Sequence, residues 1–63
     1  MNMRTDKLKA IAGRTVEITG DSFTKGKIGE LYEFDKKERK WIVHFDMGWQ
    51  GWYLRKEFKV IGV

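Results

Sequence analysis

His44 is the only histidine of the chain and Ser22 the only serine, so acid–base or nucleophilic chemistry would have to be built around one of them. His44 stands two residues before Asp46, and on a strand that spacing turns both side chains to one face, which makes a His–Asp pair geometrically open. Nothing in the sequence brings a base within reach of Ser22. General acid or base work needs titratable groups held in a water-poor cleft, whereas the carboxylates here are scattered singly between lysines. Cysteine is absent, which removes a thiolate zinc site, a disulfide framework and a sulfur nucleophile. One histidine with dispersed carboxylates also lacks the spaced ligand set of a metal centre. The expectation is a protein that is not an enzyme, with no metal, no cofactor and no small-molecule substrate.

The ring side chains are the informative residues. Three Trp, two Tyr and four Phe exceed what the interior of a 63-residue chain can hide. Strand parity sends Trp41, Phe45, Phe34 and Phe58 inward, with Trp52 and Leu54 joining them. Phe23, Tyr32, Trp49 and Tyr53 are then left outside together with His44, interleaved with Lys25, Lys27, Lys40 and Arg55. Those nine residues are the predicted binding surface: rings to stack on, ringed by cations. Such a surface suits single-stranded DNA or RNA, where stacking contributes about 1–3 kcal/mol per base and lysines add salt-dependent phosphate contacts. It also suits a protein partner, because Tyr, Trp and Arg dominate interface hot spots.

The elements that must position these residues are short. Sixty-three residues make one domain, which buries only about 60% of its extended surface and has no room for a deep chamber. Thr15–Thr19 alternates polar and apolar and ends in the turn chemistry of Gly20, Asp21 and Ser22. Residues 28–34 read as a second strand with mixed phase, Ile28, Tyr32 and Phe34 on one parity and Leu31 on the other, which predicts a bulge or strong bend near Gly29. A polar run from Asp35 to Lys40 closes a hairpin onto Trp41–Asp46. A glycine-bearing turn then leads to Trp52–Arg55, and Phe58–Val63 follows. The arm before Gly13 fits a capped helical turn, with Thr5 or Asp6 as cap, and fits strand alternation equally.

The net charge of +4 is uneven: residues 1–14 hold Arg4, Lys7, Lys9 and Arg14 against Asp6 alone, and a second basic cluster surrounds Glu38 at Lys36, Lys37, Arg39 and Lys40. A pI near 9.6 fits association with nucleic acid. No apolar run is long enough to cross a membrane and no secretory stretch opens the chain, so a cytoplasmic protein without a membrane partner is the default expectation.

Five short strands in so small a chain predict an all-β, antiparallel five-stranded barrel, since an open sheet would leave two edges. The first-strand Val16 and Ile18, a long irregular loop, Gly26-Lys27-Ile28-Gly29-Glu30-Leu31, the hairpin and a short gap before the final strand together resemble the Src-homology-3-like (SH3-like) barrel. The G-x-x-G-x-hydrophobic element is similar to its KOW and Tudor-like branch. The resemblance covers residues 13–63, leaving 1–12 as an arm or helical turn. It implies that Phe23, Thr24 and Lys25 lie in the long first loop and that Arg55–Phe58 form a single 3₁₀ turn. The chain lacks the acidic signature and the last-turn proline of PxxP readers.

The combined expectation is a small binding module associated with nucleic acid or nucleoprotein. Two further readings stand beside it. One is a protein-interaction module, such as a phage- or plasmid-type accessory protein docking on a host factor. The other is a self-associating structural protein, so that the chain is a monomer or weak homodimer.

Overall fold

The computed structural model of the protein describes residues 9–62, Met47 by its backbone alone. The chain forms β1 (Thr15–Ile18), β2 (Ile28–Asp35), β3 (Lys40–His44), β4 (Gln50–Tyr53) and β5 (Phe58–Gly62), with single 3₁₀ turns at Asp46–Gly48 and Arg55–Glu57. Among the described residues no α-helix occurs, and there is no helix long and apolar enough to cross a membrane. All pairings are antiparallel, in the order β4-β3-β2-β1-β5. The all-β, five-stranded expectation is met. The expected closure is not: β4 and β5 are edges, and no ladder joins them among the described residues.

The sheet nevertheless wraps around its own core. Val16, Ile18, Leu31, Val43, Tyr53, Phe58 and Val60 form one buried cluster to which every strand contributes. In a flat sheet the edges β4 and β5 would stand four strand spacings apart, about 19 Å, too far for Tyr53 to share a cluster with Phe58 and Val60. Strong coiling of the sheet therefore replaces a second layer.

Two irregularities produce that coiling. Leu31 pairs with Val43 and Glu33 with Ile42, so Tyr32 is an extra residue on β2. A second shift lies between Thr15 and Val16 against β5. The predicted break thus sits three residues beyond Gly29, and it resolves the mixed phase of β2: the extra residue puts Phe34, opposite Trp41, on the same face as buried Leu31, opposite Val43, although the two are three positions apart. Gly29 serves a different need. A Cβ there would stand 2.6 Å from Val43 Cγ1 and 2.9 Å from the His44 carbonyl oxygen, so only glycine lets β2 cross β3 this closely.

Several inward assignments change. Phe58 is buried, and Trp41 and Phe45 pack half-buried against the core, as expected. Phe34, Trp52 and Leu54 are exposed instead, and Tyr53 is 9% exposed rather than outward. The register explains the exchange on β4: Trp41 faces Tyr53 and Val43 faces Gly51, so Tyr53 and Gly51 share the core side while Trp52, opposite Ile42, takes the other. Trp52 then donates its indole N–H to Asp35 Oδ2 at 3.1 Å, carrying the ring across β3. Ile42, on that outer face, is left only 8% exposed.

Of the predicted arm, Thr5, Asp6 and Leu8 lie outside the described residues. Residues 9–14 form no helix. Ala10 packs against the core, a turn returns the Arg14 N–H to the Ile11 carbonyl at 3.1 Å, and the Gly13 N–H donates to the Leu31 carbonyl at 2.8 Å.

Candidate binding groove

The long loop between β1 and β2 carries Phe23, and its own hydrogen bonds fix where that ring stands. The Gly26 N–H donates to the Ile18 carbonyl at 2.8 Å, which requires Gly26 to take φ +90°, and the Lys25 and Lys27 N–H groups donate to the Ser22 and Thr24 carbonyls. Thr24 is the loop's buried anchor. Its Oγ1 bonds Ser22 Oγ at 2.9 Å and the Tyr53 hydroxyl at 2.8 Å, tying the loop to β4 across 29 residues of sequence. Thr24 inward places Phe23 outward, 86% exposed.

The opposite wall comes from the β3–β4 connection. The Phe45 N–H donates to the Trp49 carbonyl at 2.9 Å, closing the 3₁₀ turn of Asp46–Gly48 and presenting Trp49 59% exposed. Between the two walls runs an open groove of about 810 Å³ lined by Phe23, Thr24, Lys27, Ile28, Phe45, Asp46 and Trp49. It continues past Phe23, Phe45 and Trp49 along the β4 backbone to Tyr53.

Phe23 and Trp49 differ from every other described ring. Tyr32 stacks on His44 at 4.2 Å, Phe34 meets Trp41 edge-on at 5.3 Å, and Phe45 meets Tyr53 edge-on at 6.1 Å. Phe58 lies under the Arg55 guanidinium, and Trp52 is held by Asp35. Among the described residues only Phe23 and Trp49 have no ring, cation or hydrogen-bond partner for the ring itself, and they share one groove. Two apolar surfaces of that size left facing water are ready to stack on a flat partner.

Of the nine predicted residues, the structure brings Phe23, Lys27 and Trp49 into this groove, with Lys25 exposed on the same loop. The other five lie elsewhere. Tyr53 supports the groove from inside through Thr24 and lines only its inner end. Arg55 lies over Phe58 and donates from Nη1 to the Phe58 carbonyl at 3.1 Å. Lys40 stands opposite Asp35 in the β2–β3 register, and Tyr32 and His44 form their stack on the outer sheet face. His44 and Asp46 share no hydrogen bond among the described residues; one stacks on a ring and the other lines the groove. Sequence reasoning missed Thr24, Ile28, Phe45 and Asp46 as groove residues. Phe45 was legible as an inward residue and packs half-buried against the core, yet it also lines the groove. For Asp46 the sequence carried no signal, because the turn that aims it depends on contacts with Trp49.

The hairpin turn after β2 is organised by Asp35, whose Oδ1 accepts the Lys37 and Glu38 N–H groups at 3.0 and 3.2 Å. The Glu38 bond above all, with the Trp52 indole, the Lys37 N–H and the Lys37 charge, holds the Asp35 carboxyl below its usual range despite some opposing desolvation. Among the described residues no group of three or more His, Cys, Asp or Glu side chains converges as a metal site. No family model, curated protein or solved structure matches the chain.

Proposed function

We propose that the protein is a non-catalytic, Src-homology-3-like binding module that holds single-stranded nucleic acid in the Phe23–Trp49 groove. The observation that carries this reading is the pair of unpartnered rings on separate loops with lysine beside them. Bases offer flat faces to Phe23 and Trp49, and phosphates of the same strand meet Lys25 and Lys27. The open groove suits a linear ligand; a duplex keeps its base faces stacked away from such rings. The strand order and the 3₁₀ turn before β5 support the barrel resemblance.

The test is titration of the protein with a single-stranded octanucleotide at low salt, followed through the Trp49 indole resonance. Two phosphate contacts predict that log K falls against log salt with a slope of about −1.4. Phe23→Ala and Trp49→Ala each weaken binding by about 1–3 kcal/mol. Resonances of Phe23 and Trp49 that stay fixed with DNA, RNA and duplex alike rule the reading out.

A further inference from the structure

The outer face of β2, β3 and β4 is a second surface with different chemistry. Trp52 spans β3, held by Asp35 and leaving Ile42 nearly covered beneath it, and the Tyr32–His44 stack continues the apolar strip along the same face. Tyr32 and Trp52 are both about half exposed. The unbalanced charges on this face are negative, since Lys40, its lysine on β3, stands opposite Asp35. Glu30 stands opposite Thr15 and His44, and Glu33 opposite Ile42, so neither carboxylate has a lysine or arginine as a cross-strand neighbour. Asp35, by contrast, faces Lys40, and Glu17 faces Lys59. In a chain of net charge +4 the two carboxylates flanking the ring stack are therefore unmatched.

We propose that this face docks an extended, arginine-bearing segment of a partner protein. Guanidinium is the group that satisfies both features at once: its plane stacks on aromatic faces and its edge bonds carboxylate in a bidentate fork. Glu30 and Glu33 oppose nucleic acid here, because phosphate brought against them meets like charge. The groove lining is mixed, Lys27 with Asp46, whereas the sheet face carries two glutamates without a cross-strand cation. An extended peptide repeats its side chains on one face about every 6.8 Å, the same period as His44 and Ile42 on β3, opposite which Glu30 and Glu33 stand across the bulge. Arginines at alternate positions therefore keep pace with the two glutamates.

The experiment uses the full chain, labelled for magnetic resonance, and the peptide acetyl-Gly-Arg-Gly-Arg-Gly-Arg-Gly-amide, with the Glu-for-Arg peptide as control. The Arg peptide is expected to shift Tyr32, His44 and the Trp52 indole saturably while leaving Phe23 and Trp49 in place. The Glu30→Gln, Glu33→Gln double variant, whose changes are on exposed side chains, is expected to keep the native spectrum and bind about tenfold more weakly. Absence of shifts at millimolar peptide overturns the proposal, as does equal binding of the Glu peptide or undiminished binding by the double variant. Shifts of this face on adding the octanucleotide overturn it in favour of nucleic acid. A concentration-dependent dimer in sedimentation that Glu33→Lys abolishes overturns it in favour of a second copy of the chain. Because the readouts are different residues, failure here leaves the groove reading standing, and the reverse holds.

Discussion

Tyr53→Phe isolates the bond that connects the core to the groove. The substitution keeps the ring, its edge contact with Phe45 and its packing in the core cluster, and deletes only the hydroxyl that meets Thr24 Oγ1 at 2.8 Å. A buried hydroxyl left without a partner costs about 1–3 kcal/mol, but Thr24 Oγ1 keeps Ser22 Oγ at 2.9 Å, so the loss falls near the ordinary net value of about 1 kcal/mol. For a domain of this size that lowers Tm by about 4–8 °C, out of a total stability of roughly 3–5 kcal/mol. Urea unfolding of wild type, Tyr53→Phe, Thr24→Val and the double variant gives the coupling directly, expected at about 1 kcal/mol. The same variant frees the loop that carries Phe23, so the octanucleotide must order it on binding, and affinity falls a few-fold with the stacking rings untouched. A coupling below about 0.3 kcal/mol, within ordinary additivity, refutes the claim that this bond fixes the loop.

Other outcomes follow from single sites. Phe23→Ala and Trp49→Ala are expected to leave the urea midpoint within the range of surface substitutions, about 0.5 kcal/mol, because neither ring has a partner in the fold. Gly26→Ala meets no atom within 4 Å and costs only the positive-φ strain, about 1–2 kcal/mol, whereas Gly29→Ala drives a Cβ into Val43 and the His44 carbonyl and costs about 3 kcal/mol, most of the stability available, as thermal melts of the two will distinguish. Asp35 has a lowered pKa in the fold, so its contribution is complete above the unfolded carboxylate value and disappears as pH falls through the lower folded one. The Trp52 indole resonance should therefore titrate below the usual aspartate range, and Asp35→Asn should abolish that inflection.

Much of the architecture was legible because period-two patterning is local. Val16 and Ile18 on one parity, the polar run after β2 and the glycine-bearing turn before β4 mark strands and turns without reference to neighbours, and Arg55–Glu57 forms a 3₁₀ turn before β5. Legibility failed where a strand's facing depends on its partner. In β4 the run Gln50-Gly51-Trp52-Tyr53 offers two large rings in succession, and either phase buries one of them. The register with β3 chose Tyr53, whose hydroxyl reaches buried Thr24, and sent Trp52 to the outer face, where its N–H reaches Asp35. In β2 the extra residue Tyr32 keeps Phe34 on the side of Leu31 and Trp41, but at the hairpin end of the sheet, beyond the buried cluster, where it meets only the edge of Trp41 and stays exposed.

The candidate site divides in the same way. The sequence determined that there were more rings than the interior could hold, since that is a matter of composition against volume. Tertiary structure decided which ones remained outside and in whose company: Phe23 and Trp49, 26 positions apart in the chain, line one groove because Thr24 is tied to β4 and Phe45 to Trp49. Tyr32 and Lys40, which the sequence reading grouped with them as outward residues, went to a face where Glu30 and Glu33 are the unbalanced charges. A residue's neighbours along the chain are fixed by covalent bonds, but its neighbours across a bulged and coiled sheet are fixed by register, which no local pattern encodes.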